Sequence, residues 1–500
     1  MKTLAESSTT STIFVQADAV PEPIDPRIYG QNIEHMGRQV LGGLVAEPGS
    51  TAPQDGRGFR LDVLDAIRDL RPTLLRWPGG CFADSYHWKD GVGTDRPTVP
   101  NRMWGGFLIG KLFGSPPFPL GPLEDNRFGT DEFMALCRVV GAEPSLTASL
   151  GGDDPREAAD WVAYIRDRWG AGAVPAWSVG NEQWNIVEPN GCANRPGRYV
   201  DRFHRYAEAM RGADPKIRLV ASGGDAFTFS KWNEEIIRGI GTAMDFLSMH
   251  LYLPAWIPLR SRVGHSTGEY LAIAASGMFL EEQILSIEET AQRLIGRPLP
   301  IAFDEWNILG PLSRFTDPYR SQREAIGVAG ILHAFHRQAR HVKTAAMFAM
   351  INSAAPPILT TRDSLVRTPV HHVLGMYRQL TGKAGVPTVT RCPAVDTPAL
   401  LNLPARKAVP VLDVSATRDD DRLTVFVINR DPGEHQEARI DVSGFQCSGR
   451  ARVHGVAADG YSAENTVDEP GAVVERASEV EWKGHLRFPP CSVTAVVLGS

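Results

Sequence analysis

Short apolar segments alternate with longer helical patterns from about residue 26 to residue 380. Such alternation is typical of repeated βα units, in which helices connect parallel strands. The segments that we assign as strands are Arg27–Gln31, Thr73–Trp77, Glu143–Ala148, Val174–Val179, Ile217–Ser222, Asp245–His250, Pro300–Glu305 and Thr344–Met350. Eight such units predict an α/β fold that closes as a (β/α)8 TIM barrel.

Apolar residues between these strands recur at three- and four-residue spacing, which predicts amphipathic helices. Examples are Phe59–Leu70, Thr130–Val140, Arg156–Arg168, Tyr199–Ala209 and Met278–Leu294. The segment Asp90–Phe128 is instead rich in glycine and proline and has no period. We interpret it as a long loop after the second strand, at the face where loops shape a substrate cleft.

The pattern changes after Gly382, where strand-like alternation replaces the helices. Clear examples are Leu423–Ile428, Ala451–Val456 and Ser492–Leu498. Turn residues separate these runs, which predicts a C-terminal antiparallel β-sandwich. The early run Thr12–Val20 has no helix after it, so we expect it to join the sandwich. The predicted domains are a catalytic barrel of residues 25–382 and a sandwich of residues 1–24 and 383–500.

Composition excludes several classes of function. The chain has 500 residues, of which 43% are hydrophobic, and can bury a large core. Its net charge of -6 provides no basic stripe, which argues against nucleic acid as a partner. The N-terminal ten residues lack the apolar region of a signal peptide, and no run reaches the roughly 18 apolar residues of a membrane span. We therefore expect a soluble, cytoplasmic protein without a membrane partner.

Two predicted strands end in a glutamate with polar neighbours. Gly180-Asn181-Glu182 closes the fourth strand, and Glu305 closes the seventh. Strand ends converge at the C-terminal mouth of a parallel barrel, so both carboxyl groups should share one cleft. Two such groups suffice for glycoside hydrolysis, one as proton donor and the other as nucleophile or base. Asn181 beside the acid can bind a sugar 2-hydroxyl group, although a turn-forming asparagine is the alternative.

Further segments match a known enzyme family over nearly the whole chain. They are Ile28–Arg38, Leu75–Gly91, the two glutamate strands, His250–Tyr252, Thr368–Val373 and Asn465–Val467. Together they resemble the α-L-arabinofuranosidases of glycoside hydrolase family 51. The resemblance implies a retaining, exo-acting enzyme that removes terminal arabinofuranosyl groups from oligosaccharides derived from hemicellulose or pectin. It also implies a homo-oligomer, commonly a hexamer in this family.

Transferred by position, the resemblance makes Glu182 the general acid/base and Glu305 the nucleophile of a double displacement. Retention predicts carboxyl groups about 5 to 5.5 Å apart. Glu182 must be protonated when substrate binds, so burial and the Glu305 charge should raise its pKa. The candidate substrate-binding residues are Glu34, Arg76, Cys81, Asn181, His250, Tyr252, Trp306 and Asn352.

Several of these candidates have a structural alternative. Glu34, which we expect to bind furanose hydroxyl groups, can instead form a salt bridge with Arg38 or Arg76. Arg76 can orient the nucleophile or form a structural ion pair. Trp306 can be a subsite wall or a packing residue, and the sequence does not decide between them. Asn352 has neighbours that match the family poorly.

Neither a metal nor a cofactor is expected. The six cysteines lack CxxC or Cys/His metal spacing, which predicts reduced thiols. Cys81 is expected to be an unreactive thiol, because no base accompanies it in the sequence. His250 can equally be a core histidine. Proton transfer and carboxylate attack supply the chemistry without a cofactor.

Departures from the family pattern leave the substrate open. Ser85 and Ser149 stand where family members commonly have Glu and Asn, and Gln183–Val187 replaces the usual continuation after the acid/base. One alternative is another furanosidase, such as a galactofuranosidase, or an endo-acting β-glucanase. A second alternative is a non-catalytic carbohydrate-binding protein, against which the presence of both glutamates argues.

Overall fold

The computed structural model describes residues 11–104, 123–193, 195–254, 264–309 and 320–499. The strands in these ranges are β1 (Ser11–Gln16), β2 (Glu22–Pro23), β3 (Gly30–Asn32), β4 (Leu74–Trp77), β5 (Val99–Pro100), β6 (Leu123–Glu124), β7 (Glu143–Ala148), β8 (Ala176–Val179), β9 (Arg218–Ala221), β10 (Phe246–Pro254), β11 (Ile301–Leu309), β12 (Val342–Met347), β13 (Ile358–Thr360), β14 (Leu365–Arg367), β15 (Ala384–Val386), β16 (Thr388–Arg391), β17 (Ala394–Thr397), β18 (Arg406–Pro410), β19 (Leu412–Arg418), β20 (Arg422–Asn429), β21 (Gln436–Ser443), β22 (Arg450–Val456), β23 (Glu475–Glu481), β24 (His485–Phe488) and β25 (Ser492–Gly499). The α-helices in the same ranges are α1 (Leu61–Leu70), α2 (Thr130–Val140), α3 (Pro155–Trp169), α4 (Pro196–Ala213), α5 (Ser230–Ile240), α6 (Thr267–Ala274), α7 (Ser276–Ile295), α8 (Gln322–Arg337) and α9 (Pro369–Leu380). None of these helices is both long enough and apolar enough to cross a membrane.

Eight parallel strands close into a barrel in the order β3, β4, β7, β8, β9, β10, β11 and β12. The predicted TIM barrel is therefore confirmed. Strands β10 and β11 are buried along their whole length, as expected for parallel strands that are covered on both faces. The first strand begins later than predicted, because Asp25 caps a short 3-10 helix at Pro26–Tyr29.

Local sequence explains where several helices begin and end. Asp154 accepts a hydrogen bond from the backbone at the start of α3, and Pro155 is the first helical residue. Ser266 and Glu269 form a capping box at the start of α6. Gly141 ends α2 in the left-handed conformation, with φ of 74°. These caps fix the helices that pack around the barrel.

Two sheets form the predicted C-terminal sandwich. One has the order β16-β1-β21-β24, and the other has the order β2-β15-β19-β20-β25-β22-β23. The N-terminal strand β1 therefore joins the sandwich, as predicted. It runs antiparallel to β16 but parallel to β21, so the sandwich is not antiparallel throughout. No tight hairpin links β1 to β21, and hairpins are what impose antiparallel pairing.

Helix α8 joins the barrel to the sandwich through buried polar contacts. Gln322 donates from Nε2 to the backbone oxygens of Val456 and Cys491, at 3.2 and 2.8 Å. At the other end of the helix, Arg337 Nη1 donates to Asp413 Oδ1 at 2.8 Å. The sandwich is thus held against the helix that follows β11, the strand that carries Glu305.

Candidate active site

The two glutamates predicted to be catalytic meet at the C-terminal mouth of the barrel. Glu182 follows β8, and Glu305 lies within β11. Both are buried, with 2% and 4% of their surface exposed. A carboxylate oxygen of each, together with a ring nitrogen of His250, lies within 4.8 Å of the others. The φ angle of Glu182 is +36°, in the left-handed region that costs energy for a residue other than glycine and is often found at functional sites.

Glu305 accepts hydrogen bonds from two strong donors. Arg76 Nη1 donates to Oε1 at 2.6 Å, and Tyr252 Oη donates to Oε2 at 2.7 Å. His250 Nδ1 lies 3.4 Å from the same Oε2 atom. Charge-assisted bonds of this kind stabilise an ionised carboxylate and fix its orientation.

A β-bulge in β11 places Asp304 and Glu305 on the same side of the strand. The register with β12 shifts between Phe303 and Trp306. Phe303 and Trp306 both pack on the Phe335 ring of α8, with centroids 5.4 Å away. The two carboxylates between them both enter the barrel interior, which is how a bulge redirects side chains. Trp306 is therefore a packing residue outside the carboxyl cluster.

Asp304 links the cations beneath the site. Its Oδ2 accepts a hydrogen bond from Ser178 Oγ at 3.2 Å. His250 Nε2 lies 3.4 Å from Oδ1, and Arg76 Nε lies 3.6 Å from Oδ2. Burial alone would raise the pKa of Asp304, but Arg76 and His250 hold it at about 2. Asp304 is thus a permanent anion that fixes Arg76 and His250 against the two glutamates.

Glu182 has weaker partners than Glu305. His250 Nδ1 lies 2.8 Å from its Oε1, and Asn185 Nδ2 donates to Oε2 at 3.1 Å. Burial raises the pKa of Glu182, the bond from His250 lowers it, and the Glu305 charge raises it again, with a net upward shift. Burial lowers the pKa of His250, but the Glu305 charge and the bonds to Asp304 and Glu182 raise it to about 10. The net upward shift in its pKa favours the protonated form of Glu182.

Glu34 lies on the other side of Glu305. Its Oε1 accepts from Phe82 N and from Trp104 Nε1, each at 2.8 Å. Burial and the Glu305 charge raise its pKa to about 7. The alternative salt bridge with Arg38 or Arg76 is not found among the described contacts of Glu34.

A paired glycine segment lets the backbone approach both carboxyl groups. A Cβ atom on Gly80 would lie 2.4 Å from Glu305 Oε1 and 3.3 Å from Glu34 Oε2. Only glycine leaves that space open, so the segment after β4 shapes the floor of the site.

Comparisons with known proteins agree with this geometry. The family profile Alpha-L-arabinofuranosidase 1 domain matches residues 66–256, and Alpha-L-arabinofuranosidase C-terminal domain matches residues 304–492. A Bacteroides ovatus protein named intracellular exo-alpha-L-arabinofuranosidase is 31% identical over 461 residues, covering 87% of this chain and 84% of that protein. The chain belongs to glycoside hydrolase family 51. Its relatives include alpha-L-arabinofuranosidase C of Emericella nidulans. The two sequences are 29% identical, and the alignment covers 96% of each chain.

Solved structures of family 51 have the same architecture. The arabinose complex of the Thermotoga maritima alpha-L-arabinofuranosidase matches with a TM-score of 0.83 and 26% identity, covering 98% of this chain and 100% of that one. The enzyme from Xanthomonas axonopodis pv. citri matches with a TM-score of 0.84 and 26% identity, covering 98% and 99%. This family 51 chain is accordingly a glycoside hydrolase of the arabinofuranosidase type.

Of the remaining sugar-binding candidates, two lie beside the carboxyl cluster and one does not. Asn181 and Cys81 lie beside the carboxyl cluster, with Nδ2 and Sγ 3.9 Å apart. Burial raises the pKa of the Cys81 thiol well above its usual range, so it is not a nucleophile. The Asn352 amide instead donates to Arg38 O and to Thr360 Oγ1, both at 2.8 Å. The described contacts of Asn352 do not include the cluster.

Sequence reasoning did not single out three carboxyl groups of this site. They are Asp84, Glu188 and Asp304. Asp84 accepts from the Leu150 and Asn181 backbone N–H groups at 2.7 and 3.1 Å, and burial raises its pKa to about 6. Asp84 and Asp304 fall inside the segments that match the family, and an aspartate within such an apolar segment was the signal that could have indicated them. Glu188 lies in the loop that departs from the family pattern.

Two groups of side chains in the described residues have metal-ligand spacing. One is Glu182, His250 and Glu305, and the other is Cys81, Glu182 and Glu188, each within 4.8 Å. The first group is already joined by the contacts of His250 to both glutamates. Hydrolysis by two carboxyl groups requires no metal at either place.

A cavity of about 590 Å³ adjoins the catalytic strands. Its lining includes His250 and Tyr252 of β10, the aromatic rings of Trp184 and Phe227, and Leu401 from the C-terminal part of the chain. Phe227 is 49% exposed. An apolar wall with a few polar groups is typical of a ligand pocket.

Proposed function

We propose that this family 51 protein is a retaining, exo-acting α-L-arabinofuranosidase with Glu182 as general acid/base and Glu305 as nucleophile. The observation that carries the proposal is the pairing of two buried carboxyl groups with unlike partners. Their nearest oxygens lie within 4.8 Å of each other, which fits the short separation of retaining enzymes better than the roughly 6.5 to 9.5 Å of inverting ones.

In the first step, Glu305 attacks the anomeric carbon of the bound furanoside while Glu182 gives its proton to the glycosidic oxygen. The glycosidic bond breaks, the leaving group departs as an alcohol, and an ester forms between Glu305 and the sugar. Arg76 and Tyr252 hold Glu305 in the orientation for attack. The raised pKa of Glu182 supports its role as the acid.

In the second step, the deprotonated Glu182 takes a proton from water. The water oxygen attacks the anomeric carbon, the ester bond to Glu305 breaks, and the sugar leaves with its original anomeric configuration. Two inversions therefore give net retention. Glu182 regains its proton, and Glu305 is again a carboxylate.

Glu34 and Asn181 are the groups that we assign to the sugar hydroxyls, with Cys81 beside them. Phe82 and Trp104 both donate to Oε1 of Glu34, and we assign its Oε2 atom to the sugar. A site built to bond hydroxyl groups rejects analogues without them, because its buried polar atoms are then unpaired. This arrangement supports a single furanose unit at the end of a chain as the ligand.

The cavity beside His250 and Tyr252 is where we place the leaving group. Exposed rings such as Phe227 can stack on a sugar unit. We accordingly assign oligosaccharides from hemicellulose or pectin as substrates. The intracellular name of the Bacteroides ovatus relative supports action inside the cell, where oligosaccharides are the accessible form. A homo-oligomer such as a hexamer is part of the same proposal, and its mass in solution tests it.

Hydrolysis of 4-nitrophenyl α-L-arabinofuranoside tests the proposed function. We expect turnover by the wild type and a loss of about 10³-fold or more in Glu305→Ala, because no covalent ester can form. Glu208→Ala, at an exposed position of α4, is the matched control and should retain the wild-type rate. An inactive wild type, or an active Glu305→Ala, would contradict the proposal.

A further inference from the structure

Glu188 is a buried carboxyl group with an unexplained environment. It lies on the loop after Glu182 and is only 4% exposed. Among the described residues, its Oε2 has no hydrogen-bond partner. Burial, and then the Glu182 and Asp84 charges, raise its pKa well above the usual range, while a hydrogen bond with the Cys81 thiol lowers it. A buried polar group without a partner is costly, which calls for a reason for its presence.

The Asn181 amide is held at both ends. Arg76 Nη2 donates to Asn181 Oδ1 at 2.9 Å, and Asn181 Nδ2 donates to Glu188 Oε1 at 3.4 Å. Arginine can only donate, so the amide oxygen must face Arg76 and the amide nitrogen must face Glu188. Glu188 therefore supplies the acceptor that completes this orientation, and the second N–H of Asn181 faces Cys81 Sγ, a weak acceptor, at 3.9 Å. A sugar hydroxyl group is a stronger acceptor and can take over that second bond.

The loop that carries Glu188 is anchored. Asn185 N donates to Glu182 O at 2.6 Å, and Cys192 N donates to Gln183 O at 2.9 Å. Arg202 of α4 donates from Nη1 to Asn190 O at 2.9 Å. Side chains on an anchored loop can hold a neighbour at a fixed position, as the support of a binding group requires.

We propose that Glu188 is a positioning residue, which holds the Asn181 amide so that its second N–H, the one that faces Cys81, meets the 2-hydroxyl group of the furanose. The proposal rests on the proposed function, because it assigns Asn181 to the sugar. Bonds to the 2-hydroxyl group strengthen as the transition state forms. Loss of Glu188 should therefore lower kcat more than it raises KM.

The test compares Glu188→Ala and Glu188→Gln on two aryl α-L-arabinofuranosides, one of them lacking the 2-hydroxyl group. On the complete sugar, we expect Glu188→Ala to lose about 10- to 100-fold in kcat/KM, mostly in kcat. Glu188→Gln should stay within about threefold of the wild type, since its amide oxygen can accept from Asn181. On the 2-deoxy sugar, wild type and Glu188→Ala should have similar rates, because the bond is already absent.

A wild-type rate for Glu188→Ala on the complete sugar would overturn the proposal. An equal loss on both sugars would also overturn it, because the residue would then act only on the fold. If Glu188→Ala does not fold, Glu188→Met fills a similar space without an acceptor and makes the same comparison. Wild-type turnover of the complete sugar reports on the proposed function separately. If the wild type is inactive on it, the proposed function and this inference both fail.

Discussion

At the scale of single residues, the carboxyl groups of the site have different electrostatic surroundings. Arg76 and His250 provide two positive charges, and Asp304 and Glu305 lie against both of them. The two cations are thus matched by the carboxyl groups of Asp304 and Glu305. Glu182 is buried beside them, and its pKa is raised. In the proposed mechanism, two residues of one type act as acid and as nucleophile because their surroundings differ.

Replacement of His250 should shift the pH dependence of activity. The proposed acid role requires a protonated Glu182, so kcat/KM should be lost as the pH rises through its raised pKa. Because His250 lowers that pKa, His250→Gln should move this alkaline limb to higher pH, together with a lower maximal rate. The measurement is a pH profile of kcat/KM, with His204→Gln on the exposed face of α4 as control. An unchanged limb, or one at lower pH, would show that His250 does not tune Glu182.

Individual site residues were predictable to different degrees. Glu182 and Glu305 were evident because each ends an apolar run with polar neighbours. Glu188 was not, because its burial depends on how a loop folds back on the barrel. Asn352 resembled a ligand by position, yet its amide is used by Arg38 and Thr360. Hydrogen-bond partners distant in sequence decide such cases.

At the scale of elements, irregular strands build the site. The bulge in β11 turns two consecutive carboxylates inward, and it shifts the register of β11 with both of its neighbours, β10 and β12. Strict alternation predicts Asp304 and Trp306 on one face, whereas the bulge separates them. Strand positions could thus be read from apolar runs, but the direction of the side chains near a bulge could not.

The segment after β4 gives a prediction at this scale. Gly80→Ala would place a Cβ atom 2.4 Å from Glu305 Oε1, so either the Glu305 side chain or the segment must move. We expect a loss of about 10²-fold or more in kcat/KM, because displacements of about 1 Å cost that much. Gly56→Ala, which has no atom within 4 Å of its new Cβ, is the control and should be fully active. Wild-type kinetics for Gly80→Ala would refute the close approach.

At the scale of the whole molecule, the sandwich and the barrel share a buried ionic joint. Asp413 of β19 accepts from Arg337 of α8 at 2.8 Å and from Arg430 at 2.6 Å. Burial would raise the pKa of Asp413, but the two arginines hold it well below its usual range. The barrel and the added N-terminal strand were predictable from repeated patterns. The ion pairs of Asp413 were not, because Arg337 lies 76 residues away in the sequence and in a different domain.

Removal of Asp413 should destabilise the protein without touching the carboxyl cluster. Asp413→Ala leaves the buried Arg430 without the counter-charge that it contacts, whereas Arg337 keeps its ion pair with Glu281. We therefore expect a loss of about 3 to 5 kcal/mol in the free energy of unfolding and a lower Tm. The depressed pKa means that this stability is present above the unfolded pKa and is lost as the pH falls, so the difference from wild type should shrink in acid. Calorimetry measures both effects.

Asp396→Ala is the matched control, since Asp396 pairs with Lys407 at an exposed position where 57% and 86% of the side chains are accessible. Exposed pairs contribute only about 0 to 1 kcal/mol. Equal Tm values for the two variants would contradict a structural role for the joint.

The most direct test of the double displacement is to trap its intermediate in Glu182→Ala. With 2,4-dinitrophenyl α-L-arabinofuranoside, the leaving group needs no proton, so the first step proceeds while the second lacks its base. Mass spectrometry of the digested protein should then find one furanosyl group on Glu305, and none when Glu305→Ala is added. No adduct despite turnover, or an adduct on another residue, would contradict the assignment of the nucleophile.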